Sequence, residues 1–469
     1  MPKIDPVSYR IVERGIVQGV DALLAPKESV YLGVNFDFDR ILGSATVIPG
    51  NALLGNSTGL GKCLGGTTFV KSNGTKVVIA VFNNAGGTSA ALYYLNAGTW
   101  TACTAAALTV NLDCVFVTLL NEVVVSNGTD TVVSSTDGIT WAAAGGNLDV
   151  ANFPKMKTMI EWHDQIYGVL NNSDRVLFSS TPTGGAISWT SGNGYIDVEP
   201  EDGGGTIVAL SKVPNYILFF KERSLKRWDG QSTYPDDMMN IGTISQKTVC
   251  VNKSSCFFIN QQGVYETNGG YPVLRSRAVE DIVSAISSFS NACCVSDDKN
   301  VEFAIGSISI DGITYSNAAI RYNTETQQWG MRSYYRQPVT YFKYVSTFNE
   351  TVFGSTDGTI TQLASGEDDT GHQIGFTIQT QEIALATAMQ QIMRIVIHSR
   401  GMAGARVYAR VDKGDFIQIG SIEKNNQLID GLNLLGTYFE FRISGFTSAS
   451  DTRYMGITLL DVNVTTDFS

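Results

Sequence analysis

The chain has 469 residues, is 43% hydrophobic and only 16% charged, and carries a net charge of −11. That length exceeds one ordinary domain, and such a weakly charged chain, rich in small polar residues and glycine, suits β-rich structural and assembly proteins. The acidic balance argues against static binding to nucleic acid or anionic membranes, because both repel it.

The first residues, MPKIDPVSYRIVERG, are polar and lack an apolar core, so no signal peptide is expected. No run of about 18 apolar residues occurs anywhere, so no helix is expected to span a bilayer. Residues 1–50 read as an extended arm, with YLGVNFDFDRILGSATVIPG as its main phrase, that closes or decorates the domain after it.

From residue 51 to residue 370 the pattern has a period of two. KVVIAVF (76–82), ALYYL (91–95), CVFVTLL (114–120), EVVVS (122–126), NYILFF (215–220) and AAIRYN (318–323) are short apolar or alternating runs. Each is bounded by Gly, Asn, Asp or Ser, the signature of a strand. Asn73-Gly74, Asn127-Gly128, Asp137-Gly138, Asp229-Gly230 and Asp357-Gly358 mark tight hairpins. Only AVEDIVSAISS (278–288) has helical spacing, through Val279, Ile282, Val283 and Ile286.

Similar phrases end on Trp100, Trp141, Trp189, Trp228 and Trp329. The first four recur every 40 to 50 residues or so, the period of a β-propeller blade. The predicted fold is therefore all-β: a propeller of six or seven irregular blades over 51–370. In SSTDGITW (134–141), which resembles the Asp-box hairpin of sialidase-type propellers, Asp137 caps its own turn and Trp141 plugs between sheets. That role is structural. GSTDGTI (354–360) is a truncated copy.

Beyond the acidic stretch Gly366 to Asp369 the strands RIVIHS, RVYARV, FIQIGSI, YFEFRISG and ITLLDVNV predict a separate C-terminal β-sandwich over 371–469. Asp412 to Asp415 turn its middle hairpin.

No catalytic motif emerges. His163, His372 and His398 belong to no metal or nucleophile pattern, and no phosphate-binding glycine loop is present. The carboxylate groups Asp37/Asp39, Glu199/Glu201/Asp202 and Glu367 to Asp369 lack EF-hand spacing and read as solvated loops. The seven cysteines form no CxxC pair and read as reduced apolar fillers of a protein made in a cytosol. No enzyme activity, cofactor or metal is expected.

The densest basic cluster is LFFKERSLKRWDG, with Lys221, Arg223, Lys226 and Arg227. A hairpin tip of this kind is either solvated, its stems lying over apolar surface, or in contact with the acidic surface of a neighbouring subunit or a pore.

Taken in order, VNFDFD, ILFFKERSLKRW, QGVYETNGGYPVLRSRAVEDIVSAIS, IRYNTETQQWGMR, FGSTDGTITQL and RVYARVDKGDFIQIG…FRISG span most of the chain. In that order they resemble the tail nozzle, or DNA-stabilising head-completion, proteins of short-tailed bacteriophages. The resemblance implies a structural virion protein of the viral tail, assembled in the host bacterial cytoplasm as a homo-hexameric tube. It implies contact with the head–tail adaptor ring and with a needle, plug or fibre protein. It also implies transient passage of double-stranded DNA during ejection, with the basic hairpin at a subunit interface. Residues 67–146, rich in Thr, Ala and Gly, depart from that family's pattern. The alternatives are a host-glycan-binding propeller adhesin of the tail tip and a glycan-cleaving propeller enzyme.

Overall fold

The computed structural model describes residues 4–10, 14–18, 24–26, 28–41, 44–57, 59–199, 201–345, 349–384, 389–447 and 456–465. Its architecture follows from how the apolar runs are buried. In the strand Lys76–Asn84 every residue from Val77 to Asn83 is buried. Successive side chains of a strand point to opposite faces, so such a run needs a partner on each side. Val77, Ile79 and Val81 pack with Val123, Val125 and Val133, while Val78, Ala80 and Phe82 pack with Phe342, Val352 and Ile360. One strand thus feeds two separate cores.

Repetition of this arrangement makes a ring of small antiparallel sheets, six of four strands (one of them part of a larger sheet) and one of three. The first blade is Leu60–Val70, Lys76–Asn84, Ala90–Asn96 and Thr99–Ala102. The second has only three named strands, Val115–Leu119, Glu122–Ser126 and Val133–Ser135, with Ala142 bridging Ser134 in place of a fourth. Blades three, four and five run from Met156 to Asp197, Ile207 to Met239 and Val249 to Leu274. Blade six is Cys293–Ser296, Asn300–Ile310, Ile313–Asn323 and Trp329–Ser333. Blade seven takes Pro338–Val345, Asn349–Ser355 and Ile360–Gly366 and receives Gly50–Leu53 as its outermost strand. The innermost strands of blades seven and one then meet, where Thr68 Oγ1 donates to the Lys343 carbonyl at 2.7 Å. The N-terminal segment therefore closes the circle by hydrogen bonding to the last blade.

Each repeated tryptophan faces the preceding blade. Trp100 packs with Phe342 and Val352 of blade seven and donates from Nε1 to the Leu54 carbonyl at 2.9 Å. Trp141 packs with blade one, Trp189 with blade two and Trp228 against the core shared with blade three. Trp329 joins Phe257 and Ile259 of blade five and donates to the Arg275 carbonyl at 3.1 Å.

The C-terminal strands do not stand apart as the sequence suggests. One sheet orders Phe36–Ile41, Ser44–Val47, Gly456–Thr465, Gln390–Arg400 and Gln427–Ile429, with Ile4–Arg10 also pairing Gly456–Thr465 and Leu434–Gly436 pairing Gln390–Arg400. The second sheet continues directly from blade six. Val30–Val34 pairs parallel to Trp329–Ser333 at Val34 and Met331 and antiparallel to Gly375–Thr380. Tyr438–Phe446, Arg406–Val411 and Ile417–Ser421 come next in order. Phe36, Phe376, Ile395, Phe441 and Leu460 share one core across both sheets. The boundary near residue 370 dissolves because ladder hydrogen bonds and this core tie the two ends of the chain together.

The expected helix at 278–288 is shorter, a 3-10 turn Ser276–Val279 followed by an α-helix of five residues, Glu280–Ser284. Ser284, Ser287 and Ser288 weaken the helical preference of this stretch, and Ser288 Oγ bonds Ser290 Oγ at 3.1 Å beyond the helix end.

All seven cysteines are free, and five of them are buried. Burial pushes the Cys63, Cys103 and Cys293 thiols up to about 12, so almost no thiolate exists at neutral pH. A thiol reagent at pH 8 is expected to label the native chain slowly and to count all seven after denaturation. Rapid native labelling of five or more would contradict this packing. Trp141→Ala, which empties the core between blades one and two, is expected to cost about 3–5 kcal/mol in urea unfolding.

Candidate functional site

The basic hairpin folds as the sequence suggests, with Tyr216–Lys221 paired to Leu225–Trp228 around a turn at Glu222 to Ser224. Its charges, however, are not gathered at an exposed tip. The Lys221 and Lys226 side chains are 0% exposed. Lys221 Nζ donates to the Val198 and Glu199 carbonyls at 3.2 and 2.8 Å and to Asp202 Oδ1 at 2.6 Å. Lys226 Nζ donates to Glu199 Oε2 at 2.6 Å, lies 3.3 Å from Asp202 Oδ2 and bonds Asp237 on the adjoining strand. Asp174 completes the set, 3.8 Å from Lys221.

Assigning Lys221 and Lys226 to a subunit interface is therefore corrected. Both ammonium groups are spent on carboxylates within the blade, because an unpaired buried charge would cost far more than the pair. Arg227 is half-buried, bonded to Asp236 at 3.2 Å and lying 4.9 Å over the Tyr216 ring. Arg223 alone is exposed, with no ion pair at its guanidinium among the described residues.

Burial opposes the charge on Asp202, but hydrogen bonds from Lys221, the Gly204 amide, Ser224 and Lys226 outweigh it and hold the carboxyl at about 2. Burial likewise works against the Lys226 charge, and Asp237, Glu199 and Asp202 raise it to about 12. The sequence group Glu199/Glu201/Asp202, read as a solvated loop, is in part this counter-charge.

Asp137 and Trp141 take the roles their motif implies. Asp137 Oδ1 accepts from the Ile139 and Thr140 amides, both at 2.7 Å, and from Ser135 Oγ at 2.9 Å. Burial works against that carboxylate, and these bonds hold it below the usual range. Trp141 is buried between blades one and two. The truncated copy is similar, with Asp357 Oδ1 accepting from Thr359 Oγ1 at 2.7 Å and Arg336 pairing with the other oxygen at 3.0 Å.

A second charged network escaped the sequence reading. Arg332, 4% exposed, lies 3.4 Å from Glu302 and 3.5 Å from Asp37. Glu302 Oε1 accepts from Tyr334 at 2.5 Å and from Tyr341 at 2.9 Å, and Arg321 reaches Asp37 at 3.3 Å. Burial, with Glu302 alongside, pushes both phenols up. Glu302, Arg321 and Arg332 border a cavity of about 400 Å³ between blades six and seven. Asp37, from the NFDFD phrase, thus neutralises arginines about 300 residues away, a pairing no local pattern signals. The Asp39 side chain lies outside the described residues. Asp369 accepts from Asn51 and from the Tyr335 amide. Among the described residues no cluster of three His, Cys, Asp or Glu side chains could hold a metal. His163 stacks on Trp162, His372 on Tyr335, and His398 bonds Asp461 at 2.8 Å.

Two further features concern the propeller axis and the ends of the C-terminal sheets. The funnel on the propeller axis, bordered by Gly66, Cys114, Phe116, Met159, Lys247 and Tyr341, holds only about 240 Å³. The C-terminal sheets, moreover, end in strands paired on one side only among the described residues. Among the described residues Ile417–Ser421 pairs only with Arg406–Val411, and Gln427–Ile429 and Leu434–Gly436 only with Gln390–Arg400. The two sheet edges adjoin: a Cβ on Gly420 would stand 2.9 Å from Ile429. On them Ile417, Leu428 and Leu435 are 53%, 44% and 49% exposed.

No family model and no curated relative matches the chain. Among solved structures it is similar to YCF48 of Cyanidioschyzon merolae, at 12% identity over 67% of this chain and 98% of that one, with a TM-score of 0.42. It is also similar to the Swd1 β-propeller domain of Myceliophteria thermophila, at 10% identity over 67% and 99%, with a TM-score of 0.43. Among the described residues no helix is long and apolar enough to cross a membrane.

Asp202→Asn leaves two buried ammonium groups short of a counter-charge and is expected to cost about 3 kcal/mol. Because the folded Asp202 is held below its unfolded value, its contribution is present above about pH 4 and is lost as pH falls towards 2. Thermal melts of the wild type should therefore weaken over that window more than those of Asp202→Asn. Parallel pH profiles would discount the cluster.

Proposed function

We propose that the chain is a subunit of a tubular homo-hexamer, a tail nozzle that retains packaged DNA and conducts it during ejection. The observation that carries the proposal is the flank where both C-terminal sheets end. Strand edges with no partner among the described residues, bearing Ile417, Leu428 and Leu435, form a surface that soluble proteins ordinarily cover or charge. The occupant that fits is a different face of a neighbouring copy, since a head-to-tail contact that closes into a ring leaves no such edge free.

The axial funnel supports the same reading by elimination. A pocket of about 240 Å³ there is small beside a duplex, which favours a DNA path outside the propeller axis. In this reading the path for DNA runs between copies. Six chains carry roughly −66, and an acidic lumen repels phosphate, so DNA slides without adhering. The buried pairing of Lys221 and Lys226 suits such a lumen, because it withdraws the densest cationic cluster from any DNA surface. The order of sequence phrases, which resembles that of nozzle proteins, supports a location in a virion tail below the adaptor ring.

Mass photometry tests this directly. A species near six times 50.7 kDa is expected, formed alone or on an adaptor ring. Ile417→Asp combined with Leu428→Asp and Leu435→Asp is expected to leave folded monomers. A wild type that stays monomeric with the adaptor present, or a triple variant that still forms the ring, would sink the proposal.

A further inference from the structure

The one hairpin cation without a charged partner among the described residues opens onto a groove of its own. Arg223 borders a cavity of about 620 Å³ between blades four and five, within the ordinary range for small-ligand clefts. The groove lies on the face where the second and third strands of each blade are joined. Its walls are the Glu222 to Ser224 turn, the connection Asn240 to Ile244 and the Asn260 to Gln262 turn.

These walls are locked to one another. Gly242 passes so close to the hairpin turn that a Cβ there would stand 2.1 Å from the Lys221 carbonyl oxygen. The Thr243 amide donates to that carbonyl at 3.1 Å, and Thr243 Oγ1 bonds the Ile259 carbonyl at 3.0 Å. Asn260 Nδ2 donates to the Gly242 carbonyl at 2.8 Å, while its Oδ1 accepts from the Gln262 amide at 2.8 Å. The cleft is thus built before any ligand arrives.

The chemistry of its lining is specific. Val208 and Ile244 are half-buried and Ile241 is buried, giving an apolar floor. Around it the Asn240, Gln261 and Gln262 carboxamides are exposed, each offering a donor and an acceptor. Glu222, whose carboxylate accepts from Thr206 at 3.3 Å, supplies a further acceptor. Arg223 adds a planar fork matched to a carboxylate. A ring with one C–H face, several hydroxyls and one carboxylate satisfies all of these groups together.

We propose that the groove between blades four and five binds an acidic oligosaccharide, with its carboxylate on Arg223 and its hydroxyls on the surrounding amides. Such a site adds recognition of a sugar-coated surface to the chain and does not depend on ring assembly.

Calorimetric titration of the full chain with trigalacturonate and with a sialylated trisaccharide, against neutral maltotriose, tests it. At least one acidic sugar is expected to bind saturably with Kd of about 1 mM or tighter, and maltotriose about tenfold more weakly. Arg223→Gln, at an exposed position, is expected to fold normally by circular dichroism and to lose about tenfold in affinity for the acidic sugar alone. Gln262→Ala is expected to weaken binding without abolishing the preference for acid. No saturable binding of either acidic sugar, unchanged affinity in Arg223→Gln, or inorganic phosphate competing as well as the sugar itself would each overturn the proposal.

Discussion

Double-sided burial of the blade strands is the constraint from which the architecture follows. Residues 77–82, 217–220 and 256–259 are apolar on both strand faces, so each blade is stable only between two neighbours. Ile217 and Phe219 face blade three while Leu218 and Phe220 face blade five. A linear stack would leave two such faces in water. Closing the stack into a ring leaves none, and the tryptophans that fill the seams all point the same way around the circle.

Closure then determines what the ends of the chain do. Gly50–Leu53 completes blade seven, and Val30–Val34 continues the sheet of blade six into the C-terminal strands. Opening the ring would therefore disrupt the terminal sheets as well, because the same N-terminal segment serves both. The junction between propeller and terminal sheets is thus made of ladder hydrogen bonds as well as side-chain packing.

The buried charges obey a related logic. Lys221 and Lys226 extend along strands whose faces are enclosed by adjoining segments, so their ammonium groups must find carboxylates inside the blade. Arg332 and Glu302 do the same between blades six and seven. Left without such compensation among the described residues are Arg223, beside its amide-lined groove, and the strand edges carrying the exposed Ile417, Leu428 and Leu435.

Strand positions, the all-β class, the propeller repeat and the capping by Asp137 were legible in the sequence, because alternation, turn pairs and Asp-centred hairpins act over a few residues. The same local reading overextended the helix at 278–288 and cut the chain near residue 370. The partner of Asp37 and the fate of the four hairpin cations were not legible. Whether Lys226 meets water or Asp237 depends on the strand laid beside it, and Asp37 meets Arg332 because the N-terminal segment lies against blade six. Periodicity fixes which face of a strand a side chain takes. Only tertiary packing decides what stands opposite that face, since burial and charge pairing are set by distances through space.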